Sequence, residues 1–98
     1  MNGAELIKQE RERQTQAEGW SAKHDDEHER GELALMGAAY ALSTYTEKDM
    51  AVEVIDEVFC YFGDSTWFKP KDPMRNLVRA GALIAAEIDR RQRLTEKR

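Results

Sequence analysis

Apolar residues recur at helical spacing along most of this chain, and no stretch alternates with the two-residue period of a strand. The first helical stretch is predicted over Ala4–Glu18, rich in Glu, Gln, Arg and Ala and stopped by Gly19. Leu6 and Ile7 begin its apolar stripe, but Glu10, Arg11 and Gln14 follow on the same face before Ala17. Such a helix either projects into solvent or lines a site. A second helix is predicted over Glu32–Ser43, preceded by Gly31. Thr46 is a suitable N-cap for a third, with Glu47 and Asp49 in its first turn and Gly63 after its end at Phe62. Met50, Val54, Ile55, Val58, Phe59 and Phe62 form its core face. Asp72-Pro73, a cap followed by proline at the first helical position, starts a fourth helix that continues to Arg93. Leu77, Val78, Gly81, Leu83, Ile84 and Ile88 are its apolar positions, and the tail 94–98 is expected to fray.

Small residues gather in two of these helices. The second carries Ala34, Gly37, Ala38 and Ala41; the fourth carries Ala80, Gly81, Ala82, Ala85 and Ala86. Small side chains let backbones approach more closely than usual, which predicts the second helix packed on the fourth. The expected fold is a single all-α domain over residues 1–98, a small four-helix domain. The second helix is apolar nearly all round and must be covered on every side. With 41% apolar and 35% charged residues the core is thin, so a homo-oligomer is expected as well.

Charge is unevenly distributed. Residues 1–66 hold 6 basic and 15 acidic side chains, whereas residues 67–98 hold 9 basic and 4 acidic. The two regions either complement each other within the fold or leave the basic third to hold an anion such as a phosphate. The acidic majority disfavours nucleic acid as a partner. One cysteine, Cys60, excludes an intrachain disulfide. No apolar run approaches the ~20 residues of a membrane span, and the N-terminus lacks a signal-peptide core, so a cytoplasmic location is expected.

Chemistry is densest in Gly19-Trp20-Ser21-Ala22-Lys23-His24-Asp25-Asp26-Glu27-His28, read as a connector. Both histidines of the chain are here. In helical geometry His24 and His28 would share a face and could chelate a divalent ion, with Asp25 or Glu32 completing the set. The flanking glycines argue against that geometry, and the pattern is not HExxH. The simpler alternative is that Asp25 or Asp26 caps a turn while the histidines face solvent. Trp20 and Tyr40 are expected to pack in the core, although Trp20 also offers a stacking face.

Trp67-Phe68-Lys69-Pro70-Lys71-Asp72-Pro73-Met74-Arg75 interleaves aromatic and basic groups beside a helix start, a setting suited to phosphate. Asp72, as cap, competes for the same N–H groups. Catalytic arrangements are poorly supported. Cys60 falls in the apolar face of the third helix, far from the histidines. Glu53 with Asp56 or Glu57 lacks the second, facing acid pair that magnesium chemistry on triphosphates needs. No cofactor is implied, and no Gly-rich phosphate loop is present.

Glu10-Arg11-Glu12-Arg13-Gln14, Gly19-Trp20, His24-Asp25-Asp26-Glu27-His28, Gly31-Glu32-Leu33 and Ala39-Tyr40-Ala41 form a series. Trp67-Phe68-Lys69-Pro70-Lys71-Asp72 and Leu77-Val78-Arg79-Ala80-Gly81-Ala82-Leu83-Ile84 complete it. The series resembles a group of small uncharacterised proteins of tailed phages and prophages, from about Glu10 to Ile88. Phe59 to Trp67 departs from that group, whose shorter link carries Trp-Pro-Trp. The resemblance implies an accessory protein in the host cytoplasm. By analogy with other small phage proteins, its expected role is anti-defence, sequestering a nucleotide-derived host signal.

The ligand-binding set expected on this reading is Glu10, Arg13, Gln14, Trp20, His24, Asp25, Asp26, His28, Trp67, Lys69, Lys71 and Arg75. The basic groups engage phosphate, Trp20 or Trp67 stacks, and Asp26 accepts from a base or ribose. The alternatives are a metal-dependent nucleotide hydrolase using His24 and His28, or an inhibitor of a host protein.

Overall fold

The computed structural model describes residues 1–44, 53, 55–57, 60 and 68–96. The chain is mostly helical, as its periodicity predicts. Helix α1 spans Gly3–Gln16, α2 Ala22–Asp26, α3 Glu32–Leu42 and α4 Pro73–Glu96. Residues 53, 55–57 and 60 are helical too, within the predicted third helix. Its expected cap Thr46, its stop Gly63 and most of its core face lie outside the described residues. Among the described residues no helix is long and apolar enough to cross a membrane.

The largest departure from expectation is α2. The His-Asp segment is not a plain connector, because Ser21 caps a short helix by accepting the His24 N–H at 3.2 Å. The cap is therefore serine, not Asp25 or Asp26. Gly19, with φ +71°, lets the chain reverse after α1, and the Trp20 N–H closes the turn on the Gln14 carbonyl at 3.0 Å. The frame is thus more than the expected four helices and a loop.

Helix α4 is the spine, 24 residues or about 36 Å long. Helix α3 lies on it with Gly37 in the contact. A Cβ on Gly37 would stand 3.1 Å from the Ala80 carbonyl oxygen and 3.2 Å from Ile84 Cγ1. This is the small-residue packing the sequence predicts. Gly81 serves a different neighbour: α1 crosses α4 above it, and a Cβ there would meet Ile7 Cδ1 at 2.5 Å. The buried core comprises Leu33, Met36, Ala39, Tyr40, Ala80, Ala82, Leu83 and Ala86, with Trp20 and Phe68 packed against it.

Several expected core positions are not buried. Leu77, Ile84 and Ile88 are each about half exposed along one stripe of α4. Cys60 is exposed and not on a covered apolar face. Helix α4 runs through Leu94 to Glu96, beyond the expected end at Arg93; residues 97 and 98 lie outside the described residues.

Candidate functional site

Polar side chains take core positions in α1, and this builds an enclosed site among the described residues. Asn2 and Glu5 cap the helix reciprocally and fix where its turns fall. Glu10 and Gln14, one turn apart, then face inward against α3 and α4. Glu10 receives two bonds from Arg13, Nε at 2.7 Å and Nη2 at 2.8 Å, and one from Gln14 Nε2 at 3.2 Å. Burial alone would raise the Glu10 pKa. The Arg13 bonds and charge, with Gln14 and the Arg79 charge, hold it below the usual value instead. Arg13, shared between Glu10 and Glu18, has its own pKa raised, first by the Glu10 bond. The pair is ionised throughout the ordinary pH range.

Opposite α1, the Lys69-Pro70-Lys71 segment is clamped at four backbone atoms. Tyr40 Oη accepts the Lys69 N–H at 2.9 Å, and Arg79 Nη1 donates to the Lys69 carbonyl at 2.8 Å. Asn76 Oδ1 accepts the Lys71 N–H at 2.8 Å, while Asn76 Nδ2 donates to the Lys71 carbonyl and to Ser43 Oγ. Pro70 between them has no N–H to satisfy. Asp72 caps α4 through the Arg75 N–H at 3.0 Å, as its sequence position predicts. Tyr40 also packs on Phe68 at 5.0 Å between ring centroids, with the Arg79 guanidinium 5.7 Å above its ring.

Between these walls lies a cleft of about 50 Å³ lined by Glu10, Arg13, Gln14, Glu18, Trp20, Tyr40, Lys69, Arg79 and Leu83. Two buried polar atoms on its lining residues, Gln14 Oε1 and Arg79 Nε, have no hydrogen-bond partner among the described residues. Glu10 and Arg13 also border a groove of about 330 Å³ between α1 and the start of α4, with Leu6, Gln9, Met74, Arg75 and Val78. Among the described residues, Lys69, Lys71, Arg75 and Arg79 form no ion pair.

The expected binding set is divided by this arrangement. Glu10, Arg13, Gln14, Trp20 and Lys69 meet at the cleft, Arg75 lies on the adjoining groove, and Lys71 is exposed nearby. His24, Asp25, Asp26 and His28 do not join them. Asp25, fully buried, holds Arg11 at 2.9 Å and His24 Nδ1 at 3.1 Å, tying α2 to α1. Asp26 takes Arg93 Nη2 at 2.7 Å near the end of α4. Asn76, which holds Lys71, and Arg93, which holds Asp26, are 17 residues apart on α4, or about 25 Å along its axis. One pocket containing both Asp26 and Lys71 is therefore not formed within the chain. Trp67 lies outside the described residues.

The histidine rings do come together, with centroids 5.1 Å apart, and His24 stacks on Trp20 at 5.7 Å. Each Nδ1 faces a carboxylate, Asp25 for His24 and Glu32 for His28 at 3.3 Å. Among the described residues no group of three His, Cys, Asp or Glu side chains is arranged to hold a metal ion.

Glu18, Tyr40, Arg79 and Leu83 of the cleft, and Asn76 of the backbone clamp, are the site residues that the expected set lacks. Arg75 and Arg79 stand one turn apart in α4 with Lys71 four residues before Arg75, a cationic spacing visible in the sequence. Asn76 gives no comparable signal, because its partners are backbone atoms of a turn. Compared with known proteins, the chain matches no protein-family model, no curated protein and no solved structure.

Proposed function

We propose that this chain is a non-catalytic binding protein for a small, phosphate-bearing, nucleotide-type ligand. The observation that carries the reading is four cations free of ion pairs among the described residues: Lys69 and Arg79 on the cleft, Arg75 on the adjoining groove, and Lys71 in the clamped segment. Cations outside any ion pair attract anions, although the Arg79 charge also acts on Glu10, and a rigid backbone lowers the ordering cost of binding. Glu10 and Glu18 repel phosphate from the inner wall, so the phosphate belongs on the Lys69–Arg75 side. A cleft of about 50 Å³ admits only one end of such a ligand, since sites for whole small molecules run about 300–1,000 Å³. The adjoining groove of about 330 Å³ supplies the remaining room.

The resemblance to accessory proteins of tailed phages gives the binding a use, sequestration of a host defence signal in the host cytoplasm. Self-association belongs to the same proposal. Its support is the thin core and the half-exposed stripe of Leu77, Ile84 and Ile88. Sedimentation that shows only monomer at every concentration removes it.

Thermal-shift titration with cyclic dinucleotides and ADP-ribose tests the binding role. A ligand at a hundred times its Kd should stabilise the fold by about 2.7 kcal/mol, and the pair Lys69→Ala and Arg75→Ala should abolish the shift. No shift with any nucleotide at millimolar concentration overturns the proposal.

A further inference from the structure

Two residues that line the cleft carry buried polar atoms of opposite hydrogen-bonding character. Gln14 is 1% exposed, and its Oε1 has no partner among the described residues. Its orientation is dictated by Glu10, an ionised carboxylate that can only accept, so Nε2 must point there and Oε1 must point away. Arg79 Nε is likewise buried without an acceptor, although Nη1 of the same guanidinium is engaged by Lys69. The cleft lining thus carries one unpaired acceptor and one unpaired donor, both fixed by bonds elsewhere in their own side chains. Buried polar groups left unpaired are costly, so whatever enters is selected for filling both.

From this we infer that the cleft reads an amino-bearing nucleobase edge of the adenine type: the exocyclic amino group donates to Gln14 Oε1, and a ring nitrogen accepts from Arg79 Nε. The inference rests on the nucleotide reading above and names the base end of that ligand. Two features of the cleft fit a planar edge: its volume is only about 50 Å³, and Trp20, Tyr40 and Leu83 are among its lining residues. The sugar and phosphate then emerge toward the α1–α4 groove and Arg75. Gln14 is in this scheme a specificity-determining residue, while Lys69 and Arg75 supply affinity that is indifferent to the base.

Calorimetric titration of the full chain with three probes separates these contributions: adenosine 5′-monophosphate, purine riboside 5′-monophosphate and inorganic pyrophosphate. Purine riboside differs from adenosine only in lacking the amino group. Its monophosphate should bind roughly tenfold to a hundredfold more weakly, the penalty of leaving one buried acceptor unmet. Gln14→Met, which preserves length and removes the acceptor, should bring the two nucleotides to equal affinity. Equal affinity of the wild-type chain for both nucleotides overturns the inference, with solvent then meeting Gln14, while the anion site stands. Failure of all three probes to bind overturns both. The comparison of the two nucleotides on the wild-type chain decides the matter even if the Gln14 variant does not fold.

Discussion

Tyr40 Oη accepts the N–H of Lys69, 29 positions along the chain, at 2.9 Å, joining the core helix α3 to the segment that carries the cations. Tyr40→Phe removes that acceptor and leaves the ring packing against Phe68 in place. The variant should lose about 0.5–1.5 kcal/mol in denaturant unfolding, the net value of one such bond. Hydrogen exchange at Lys69 should accelerate more than at any position within α3. An unchanged exchange rate at Lys69 means that Arg79 and Asn76 hold the segment without help.

Asp25 and Arg11 set a second test. Asp25 is fully buried and accepts from Arg11 Nη2 at 2.9 Å, with Arg11 itself mostly covered. Asp25→Ala leaves a guanidinium without its buried partner and frees α2 from α1. The expected cost is about 2–4 kcal/mol, below that of a wholly enclosed pair because Arg11 keeps Asp89 at 3.9 Å. Arg11→Met in the Asp25→Ala background should recover part of the loss, and a double-mutant cycle measures the coupling. Additive losses would show that the two residues act independently.

The sequence shows the helices plainly where periodicity and caps agree. Asp72-Pro73 marks the start of α4, Gly31 the start of α3, and Gly37 and Ala80 the contact between them. It shows the cleft in part. Glu10 and Gln14 on an otherwise apolar face announce an inward polar wall, and Lys69 is conspicuous beside Pro70. Their meeting with Arg79 and Tyr40 depends on how α1 crosses α4, which periodicity does not specify. The His-Asp segment misleads for a physical reason. Acids and histidines close in sequence suggest a site, but here the two aspartates are paired across helices, Asp25 to Arg11 and Asp26 to Arg93. Pairing over such separations leaves no local signature.

That crossing can itself be probed at Gly81. A Cβ there would stand 2.5 Å from Ile7 Cδ1 and 2.8 Å from Cγ1, closer than atoms tolerate. Alanine favours the helix by roughly 0.5–1 kcal/mol, but overpacking costs about 1–3 kcal/mol. Gly81→Ala alone should therefore destabilise, by about 1 kcal/mol. Combined with Ile7→Ala, which removes the clashing atoms, the same change should become stabilising relative to Ile7→Ala alone. A stabilising effect of Gly81→Ala in the wild-type background would place α1 farther from α4.

Acid should weaken the fold through two carboxylates. Burial works against ionisation of Glu10, yet its bonds to Arg13 leave its pKa lowered from 4.5, and Glu87 is lowered first by its Arg90 bonds at 2.6 and 3.0 Å. A carboxyl whose folded pKa lies below its unfolded value stabilises fully above the unfolded value. That contribution is lost as pH falls through the folded value. Thermal melts should thus hold their midpoint from pH 7 down to about 5 as far as these two groups decide it, then decline below 4.5. Glu87→Gln should lower the midpoint at pH 7 and flatten the decline, because the substituted amide has no charge to lose. The arginine partners cannot mimic this, since their raised pKa values lie far above the range tested. A decline of unchanged steepness in Glu87→Gln would assign the acid sensitivity to other carboxylates.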